Sequence, residues 1–384
     1  MSETKSLSLG KRWFMAAIVL LIMFAAFANQ FKAPGLFKQL IPDIGFMNLG
    51  VINVGWMMSM FSVLGLVFAF PAGFIVQTFG IKKTLVFTIC CLVVGSAIGA
   101  LAPNPYVLLF SRFIEGGGVG FLSVVAPSAL AVLIPGKQRG LVFGLQGITF
   151  PLGTVIGMNF ATMIGTACGW RVAWWAGAAL ALVIAILLIF FKLPPELDRP
   201  GAKEFHDIDE SIKPDWRSII VVSVIYMLWQ VIWVGAFNSF YSTFLQETFA
   251  MAATQASFMT TLTSIIMIVL GAFTGIVSDK LGTRKMLIIF CMVGTAVMFS
   301  FGWQDNIACV WIFLVGESVF ASCITTGVMS IVPGLAKRPD KVALGMSTMA
   351  FFKCIGMVVG SAIYAPIVSA LGYANASLYV LVPI

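Results

Sequence analysis

Apolar runs long enough to cross a bilayer follow one another along nearly the whole of this 384-residue chain. Their approximate spans are 13–32, 50–76, 84–103, 106–134, 141–166, 171–193, 218–243, 253–277, 286–303, 307–332, 342–370 and 373–384. A helix needs roughly 20 residues to span the hydrocarbon core. Inside it every backbone polar group must find its partner within the chain, so such runs become helices. The predicted fold class is an all-α polytopic membrane protein. Composition agrees, because only 10% of residues are charged against about 25% in an average soluble domain. The 37 glycines suit helices that approach closely. The last run is shorter than a full span, so the twelfth helix is expected to be truncated.

The net charge of +8 does not point to nucleic acid, because the basic residues form no single patch. Lys5, Lys11, Arg12, Lys82, Lys83, Lys137, Arg139, Lys192, Arg199, Lys203, Lys213, Arg217, Lys280, Arg284, Lys285, Lys337, Arg338 and Lys341 fall at the N-terminus and in alternate loops. Lys32, Lys38 and Arg171 are assigned to the opposite side. This asymmetry predicts a multi-pass protein of the cell (inner or plasma) membrane with both termini cytoplasmic. Ala26-Phe27-Ala28 after the first run mimics a signal-peptidase site, and a retained anchor is the expectation. The seven cysteines lie mostly in apolar runs without metal-like spacing, so they are read as small buried packing residues. The lone histidine, His206, lies in the polar segment 194–216 and is read as solvated. That segment is charged and proline-bearing, and reads as a flexible linker.

The chain repeats itself. Gly73, Gly80, Lys82 and Lys83 recur 202 positions later (73 to 275) as Gly275, Gly282, Arg284 and Lys285. Glu115 recurs as Glu317, and Gly153-x-x-x-Gly157 recurs as Gly356-x-x-x-Gly360. Six runs separate each pair, so the copies share one topology, as in a parallel repeat about an axis along the membrane normal. The expected domains are a six-helix bundle over 1–193, a linker over 194–216 and a second bundle over 217–384.

Gly275-Ile-Val-Ser-Asp279-Lys280-Leu-Gly282-Thr-Arg284-Lys285 resembles at every position the loop signature GxxxD(R/K)xGx(R/K)(R/K) of the major facilitator superfamily. The first copy departs from it, with Gln77 and Thr78 where the family has an acid and a base. Arg112-Phe-Ile-Glu115-Gly116-Gly-Gly118 and Gly169-Trp170-Arg171 are similar to further family patterns. The resemblance covers essentially the whole chain. It implies two bundles facing a central cavity lined by helices 1, 4, 7 and 10, with helix 11 nearby. It also implies that Gly73, Gly80, Lys82, Lys83, Gly275, Asp279, Lys280, Gly282, Arg284 and Lys285 form a conformational latch. Physically, Asp279 can accept hydrogen bonds from a helix N-terminus, and the basic residues hold the loop in the cytoplasm. A role in topology alone is the plainer reading. Because Gln77 lacks the acid, the Asp279 side is expected to matter more.

Four ionisable residues lie inside apolar runs: Arg112, Glu115, Glu317 and Lys353. Each costs about 2.5–3.5 kcal/mol on insertion scales, which makes it a functional candidate. Arg112 and Glu115 share a helical face. They read either as a self-neutralising pair or as an anion site or proton relay. Glu317 has no partner on its own helix and is the candidate for proton coupling. Lys353 reads as a cation for a bound anion or as a cross-helix partner of Glu317. Tyr226, Trp229, Gln230 and Trp233 share one face of the seventh run. That face suits a small polar ligand or ordinary packing. Asn29, Gln30, Gln146, Asn159 and Asn238 are weaker polar candidates.

No nucleotide loop, catalytic triad or acid/histidine cluster occurs, so no enzymatic site, metal or cofactor is expected. The expected function is a secondary active transporter of a small solute, with an organic or inorganic anion favoured. It would work by alternating access, with protons or a counter-transported solute as coupling partner, in a lipid-embedded monomer. Drug efflux is the alternative. Against it, the fifth run reads Gly147-Ile-Thr-Phe-Pro151-Leu-Gly153 rather than an antiporter GxxxGPxxGG. A receptor or channel is the more distant reading.

Overall fold

The computed structural model describes residues 8–46, 54–134, 138–192, 198, 213–281, 284–337 and 339–384. For some of them, among them Gln77, Asp279, Lys280, Arg284 and Lys285, only the backbone is described. His206 and most of the segment 194–216 lie outside the described residues.

The first half contains α1 (Leu9–Phe31), α2 (Phe37–Ile44), α3 (Trp56–Phe68), α4 (Pro71–Phe79), α5 (Ile81–Ala100), α6 (Pro105–Leu133), α7 (Arg139–Cys168) and α8 (Trp170–Leu188). The second begins with α9 (Trp216–Gln230), continued through a π-helical segment (Val231–Asn238) into α10 (Ser239–Thr248). Then come α11 (Ala253–Leu281), α12 (Arg284–Gly302), α13 (Ile307–Ala336), α14 (Pro339–Leu371) and α15 (Tyr373–Ala376), followed by a π turn over Ser377–Leu381. Among the described residues, nine helical spans are long and apolar enough to cross a membrane, and Trp56–Phe68 and Ile288–Gly302 are shorter apolar helices.

Local chemistry sets the helix ends. Asn104 caps α6 by accepting from the Val107 amide at 3.0 Å, with Pro105 in the first turn. Asn306 caps α13 in the same way, accepting from Ala308 at 2.9 Å. Asp215 caps α9, and its hydrogen bonds from the hydroxyl and amide of Ser218 hold its carboxyl below the usual carboxylate range. Gly80 and Gly169 join consecutive helices at φ +89° and +92°, where a side chain would be strained. The second apolar run is not one helix: it breaks at residues 69–70 and restarts at Pro71.

The repeat is visible in the packing. In the first half α7 lies on α1, where a Cβ on Gly157 would come within 2.3 Å of the Ala28 carbonyl. In the second half α14 lies on the continuation of α9, where a Cβ on Gly360, the counterpart of Gly157, would come within 2.6 Å of the Val231 carbonyl. Each half thus seats its fifth long helix on its first through a glycine. Between the halves α3 packs on α14 and α7 on α11. Asn159 donates to Thr261 at 2.7 Å, Thr162 meets Ser257 at 3.0 Å, and Lys38 donates to the Gln246 carbonyl at 3.0 Å. All three contacts lie at the end of the molecule where α1 and α7 finish. At the other end of α7, Gly144 and Gly147 have no neighbour within reach of a Cβ among the described residues, and Leu141 is 60% exposed. The halves are closed together at the end where α1 and α7 finish.

The cysteines do not follow the packing expectation. Cys291 and Cys323 are buried, whereas Cys90 and Cys168 are exposed and the other three are intermediate. The outer surface of a membrane bundle is itself apolar, so an apolar run does not mark its cysteines as interior.

Candidate functional site

Deep in the first half, Glu115 accepts from two cations. Arg112, one helical turn before it on α6, donates through Nη1 to one carboxylate oxygen at 2.5 Å. Lys32 donates through Nζ to the other at 2.6 Å. All three side chains are within 3% of complete burial. Lys32 fills its remaining donors with Ser96 Oγ at 2.6 Å and Asn29 Oδ1 at 2.9 Å. Its ammonium stands 4.9 Å from the Trp174 ring. Two cations and one carboxylate leave the cluster with an excess of one positive charge.

Arg112 has a second task. It donates to the carbonyls of Asn29 at 2.9 Å and Gln30 at 2.7 Å, the last turn of α1, and to Met57 of α3 at 3.3 Å. Those α1 carbonyls have no intrahelical partner, and a cation there also meets the negative end of the helix dipole. Arg112 is therefore held by backbone on two helices besides Glu115. The Arg112–Glu115 pair foreseen on one face exists, but as part of a triad.

Lys32 corrects the sequence reading, which counted it among the loop cations. It is 2% exposed. The chain leaving α1 turns through Pro34–Leu36 directly into α2, whose Phe37, Leu40 and Ile44 are buried, so α1's end is roofed over rather than solvated. The signal was present: Asn29 and Lys32 lie three apart on one face, beside a polar Gln30, at the end of an apolar run. The polar candidates Asn29 and Gln30 are both at the site.

In the second half, Glu317 of α13 is fully buried. It accepts from Thr295 of α12 at 3.4 Å, and its second oxygen has no partner among the described residues. Lys353 of α14 is partly buried. Among the described residues the ion pairs are Lys32–Glu115, Arg112–Glu115 and Arg171–Asp43, so the cross-helix Lys353–Glu317 pair does not form. Tyr226, Trp229, Gln230 and Trp233 are all buried. Trp229 stacks on Trp233 at 5.3 Å and Trp233 on Phe237 at 5.0 Å, a ladder that continues to Tyr241 and Trp303. The Trp229 and Trp303 indole N–H groups and Gln230 Oε1 have no partner among the described residues. The ladder runs through the π-helical segment, where Asn238 donates to the Trp233 carbonyl five residues back at 2.7 Å. Such segments gather at functional sites.

Of the loop-motif residues, Gly80 forms the α4–α5 joint, Lys82 is partly buried and Lys83 is exposed. Asp198 Oδ1 accepts from the Lys82 amide at 2.9 Å, at the start of α5. This carboxylate comes from outside the loop motif, a residue that motif matching had no reason to select. Gly73 falls in α4, Gly275, Asp279 and Lys280 in α11, and Arg284 and Lys285 in the first turn of α12. Gly282 lies outside the described residues.

Comparison with known proteins places this arrangement. The sequence profile of the Major Facilitator Superfamily matches residues 12–244 and 232–384. The chain is 24% identical over 299 residues to a hexuronate transporter of Bacillus subtilis, covering 73% of this chain and 70% of that one. It is 26% identical over 210 residues to an MFS-type transporter of Mycobacterium tuberculosis. That match covers 54% of this chain and only 28% of the relative, so the chain spans less than a third of that protein's length. Its fold matches the crystal structure of the human organic anion transporter MFSD10 with a TM-score of 0.75, at 17% identity and 97% coverage of both chains. With the two profile matches together spanning nearly the whole chain, and the glycine-seated repeat in both halves, the chain belongs to the major facilitator superfamily.

Proposed function

We propose that this chain is a secondary active transporter of a small anion, working by alternating access between its two halves. The observation that carries the reading is the positive excess of the Lys32–Glu115–Arg112 cluster. An unneutralised charge in a bilayer is costly and marks a substrate or ion pathway. A bound monoanion neutralises it. Arg112 serves as the positioning residue, because its donors hold α1 and α3. Lys32 is the cation that exchanges Glu115 for substrate.

Glu317 is the proposed coupling carboxylate, since it is buried with one oxygen that has no partner among the described residues, and an ionisable group inside a membrane helix marks an ion pathway. The aromatic ladder from Trp229, with Tyr226, Gln230 and Lys353 around it, is the proposed second wall of the substrate path. The lysine- and arginine-rich loops support a cytoplasmic N-terminus in a plasma or inner membrane. On that orientation the closed end of the molecule is external. We divide the chain into bundles at 1–193 and 217–384, joined by the linker 194–216, and read it as a monomer.

Purified protein in proteoliposomes tests this. Counterflow of small carboxylates, hexuronates included, is expected in the wild type and is expected to fall at least about tenfold in Lys32→Ala, the loss of about one charged hydrogen bond. Glu317→Gln is expected to keep counterflow and to lose uptake driven by a pH gradient. Transport of cationic drugs with no transport of any anion would overturn the reading in favour of efflux.

A further inference from the structure

Lys353 of α14 carries three ammonium donors, and it makes no hydrogen bond or ion pair among the described residues. Gln230 of α9 is 4% exposed, and its Oε1 has no partner among the described residues. A Cβ on Gly356 would come within 3.0 Å of Gln230 Cβ, and side chains three apart on a helix stand about 5–6 Å apart. The Cβ atoms of Lys353 and Gln230 are therefore at most about 9 Å apart, and side chains of their length can close on one small molecule. The register of α14 shows where Lys353 points. The helix meets α3 through Cys354, which lies 3.2 Å from a Cβ built on Gly65, and through Ser361, 2.8 Å from Ser59. It meets α9 and its continuation through Gly356 and Gly360. Lys353, Met357 and Tyr364 recur at helical spacing between those two faces. Val359 and Ile363, 42% and 43% exposed, turn outward on another side. Met357 and Tyr364 are buried while Lys353 is partly exposed, so a small solute can reach its ammonium from between the halves.

We propose that Lys353 and Gln230 form a binding site for a small hydroxycarboxylate, held between the two halves. Its carboxylate accepts from the Lys353 ammonium, and its hydroxyl donates to Gln230 Oε1. The inference rests on the anion reading above and adds to it the class of anion and a second place to hold it. Each residue lacks what one end of such a ligand supplies. A cation inside a membrane bundle calls for an anion, and a buried carbonyl oxygen calls for a donor. Charge decides which donor. An ammonium there would stand beside Lys353 where like charges are poorly screened, whereas a hydroxyl brings no charge. The site is separate from the Lys32 cluster. Arg112 reaches α3 at the Met57 carbonyl, whereas Cys354, next to Lys353, reaches α3 at Gly65. Those points are eight residues apart on one helix, about 12 Å at 1.5 Å per residue. A three-carbon acid cannot touch both, so it occupies them in turn.

The test is thermal unfolding of the purified full chain with lactate, propionate or alanine, in wild type, Lys353→Met and Gln230→Met. The three ligands share one carbon frame and carry a hydroxyl, a hydrogen or an ammonium beside the carboxylate. Lactate is expected to bind the wild type about tenfold tighter than propionate, the worth of one hydrogen bond, and to raise Tm accordingly. Alanine is expected to give no shift. Lys353→Met is expected to lose both carboxylate shifts. Gln230→Met is expected to bring lactate down to the level of propionate and to leave propionate unchanged, which a purely structural role for Gln230 would not do. If Gln230→Met does not fold, the preference for lactate in the wild type and its loss in Lys353→Met decide. If Lys353→Met keeps the wild-type lactate shift, the site is wrong while the anion reading stands. If propionate or alanine matches lactate in the wild type, the hydroxycarboxylate class is overturned. If no carboxylate shifts Tm in any protein, both readings fail.

Discussion

Glu115 and Glu317 stand at one position in two copies of the same helix, and their surroundings differ. Glu115 lies between Lys32 at 2.6 Å and Arg112 at 2.5 Å. Glu317 meets one threonine hydroxyl at 3.4 Å and has an oxygen with no partner among the described residues. Yet the frames around them agree, since Gly157 and its counterpart Gly360 seat equivalent helices on a facing carbonyl at nearly the same clearance, 2.3 and 2.6 Å. The repeat has kept its packing and divided its chemistry. One half holds a charged cluster with two cations to one carboxylate, and the other holds an isolated acid and an aromatic ladder.

The largest effect expected from that difference is on stability. Glu115→Gln leaves Lys32 and Arg112 as buried cations without their counter-ion, a loss of about 3–5 kcal/mol. Glu317→Gln removes no ion pair and is expected to change stability by less than about 1 kcal/mol. Thermal unfolding in detergent compares them, and equal losses would remove the distinction between the two acids. The frame should behave in the opposite way. Gly157→Val and Gly360→Val each force a side chain onto a facing backbone carbonyl, at a cost of about 1–3 kcal/mol. The two losses are expected to match, and a wide gap between them would show that the halves do not share their packing.

Much of this was legible in the sequence, for identifiable reasons. Apolar runs and glycine spacings are local signals, so the helices, the repeat and the Arg112–Glu115 pair could be read directly. Lys32 and Asp198 could not, because each acquires its meaning from a distant segment. Lys32 is 83 residues from Glu115, and a loop-by-loop charge count places it with the solvated cations. The Lys353–Glu317 pairing was a guess across helices of the same kind, and it does not form. Periodicity gives the face of a helix but not what faces it.

Asp198 yields the smallest and most discriminating comparison. The loop motif carries an acid in the second copy, Asp279, and Gln77 in the first. In the first copy Asp198 accepts from the Lys82 amide at the start of α5, and a Cβ on Gly80 would come within 2.3 Å of its carboxylate. A carboxylate at a helix N-terminus contributes about 0.3–1 kcal/mol, enough to shift the balance between two conformations a few-fold without unfolding either. Asp198 lies in the segment 194–216 that joins the halves, so its docking would tie that segment to one arrangement of them. Asp198→Asn is therefore expected to lower the transport rate modestly. Asp279→Asn is expected to lower it more, and Gln77→Ala to leave it unchanged. Counterflow rates at saturating substrate measure all three. If Asp198→Asn and Gln77→Ala are both silent while Asp279→Asn is not, the latch belongs to the second half alone. If Asp198→Asn matches Asp279→Asn, the first half has rebuilt from a distant residue the acid that its own copy of the motif lacks.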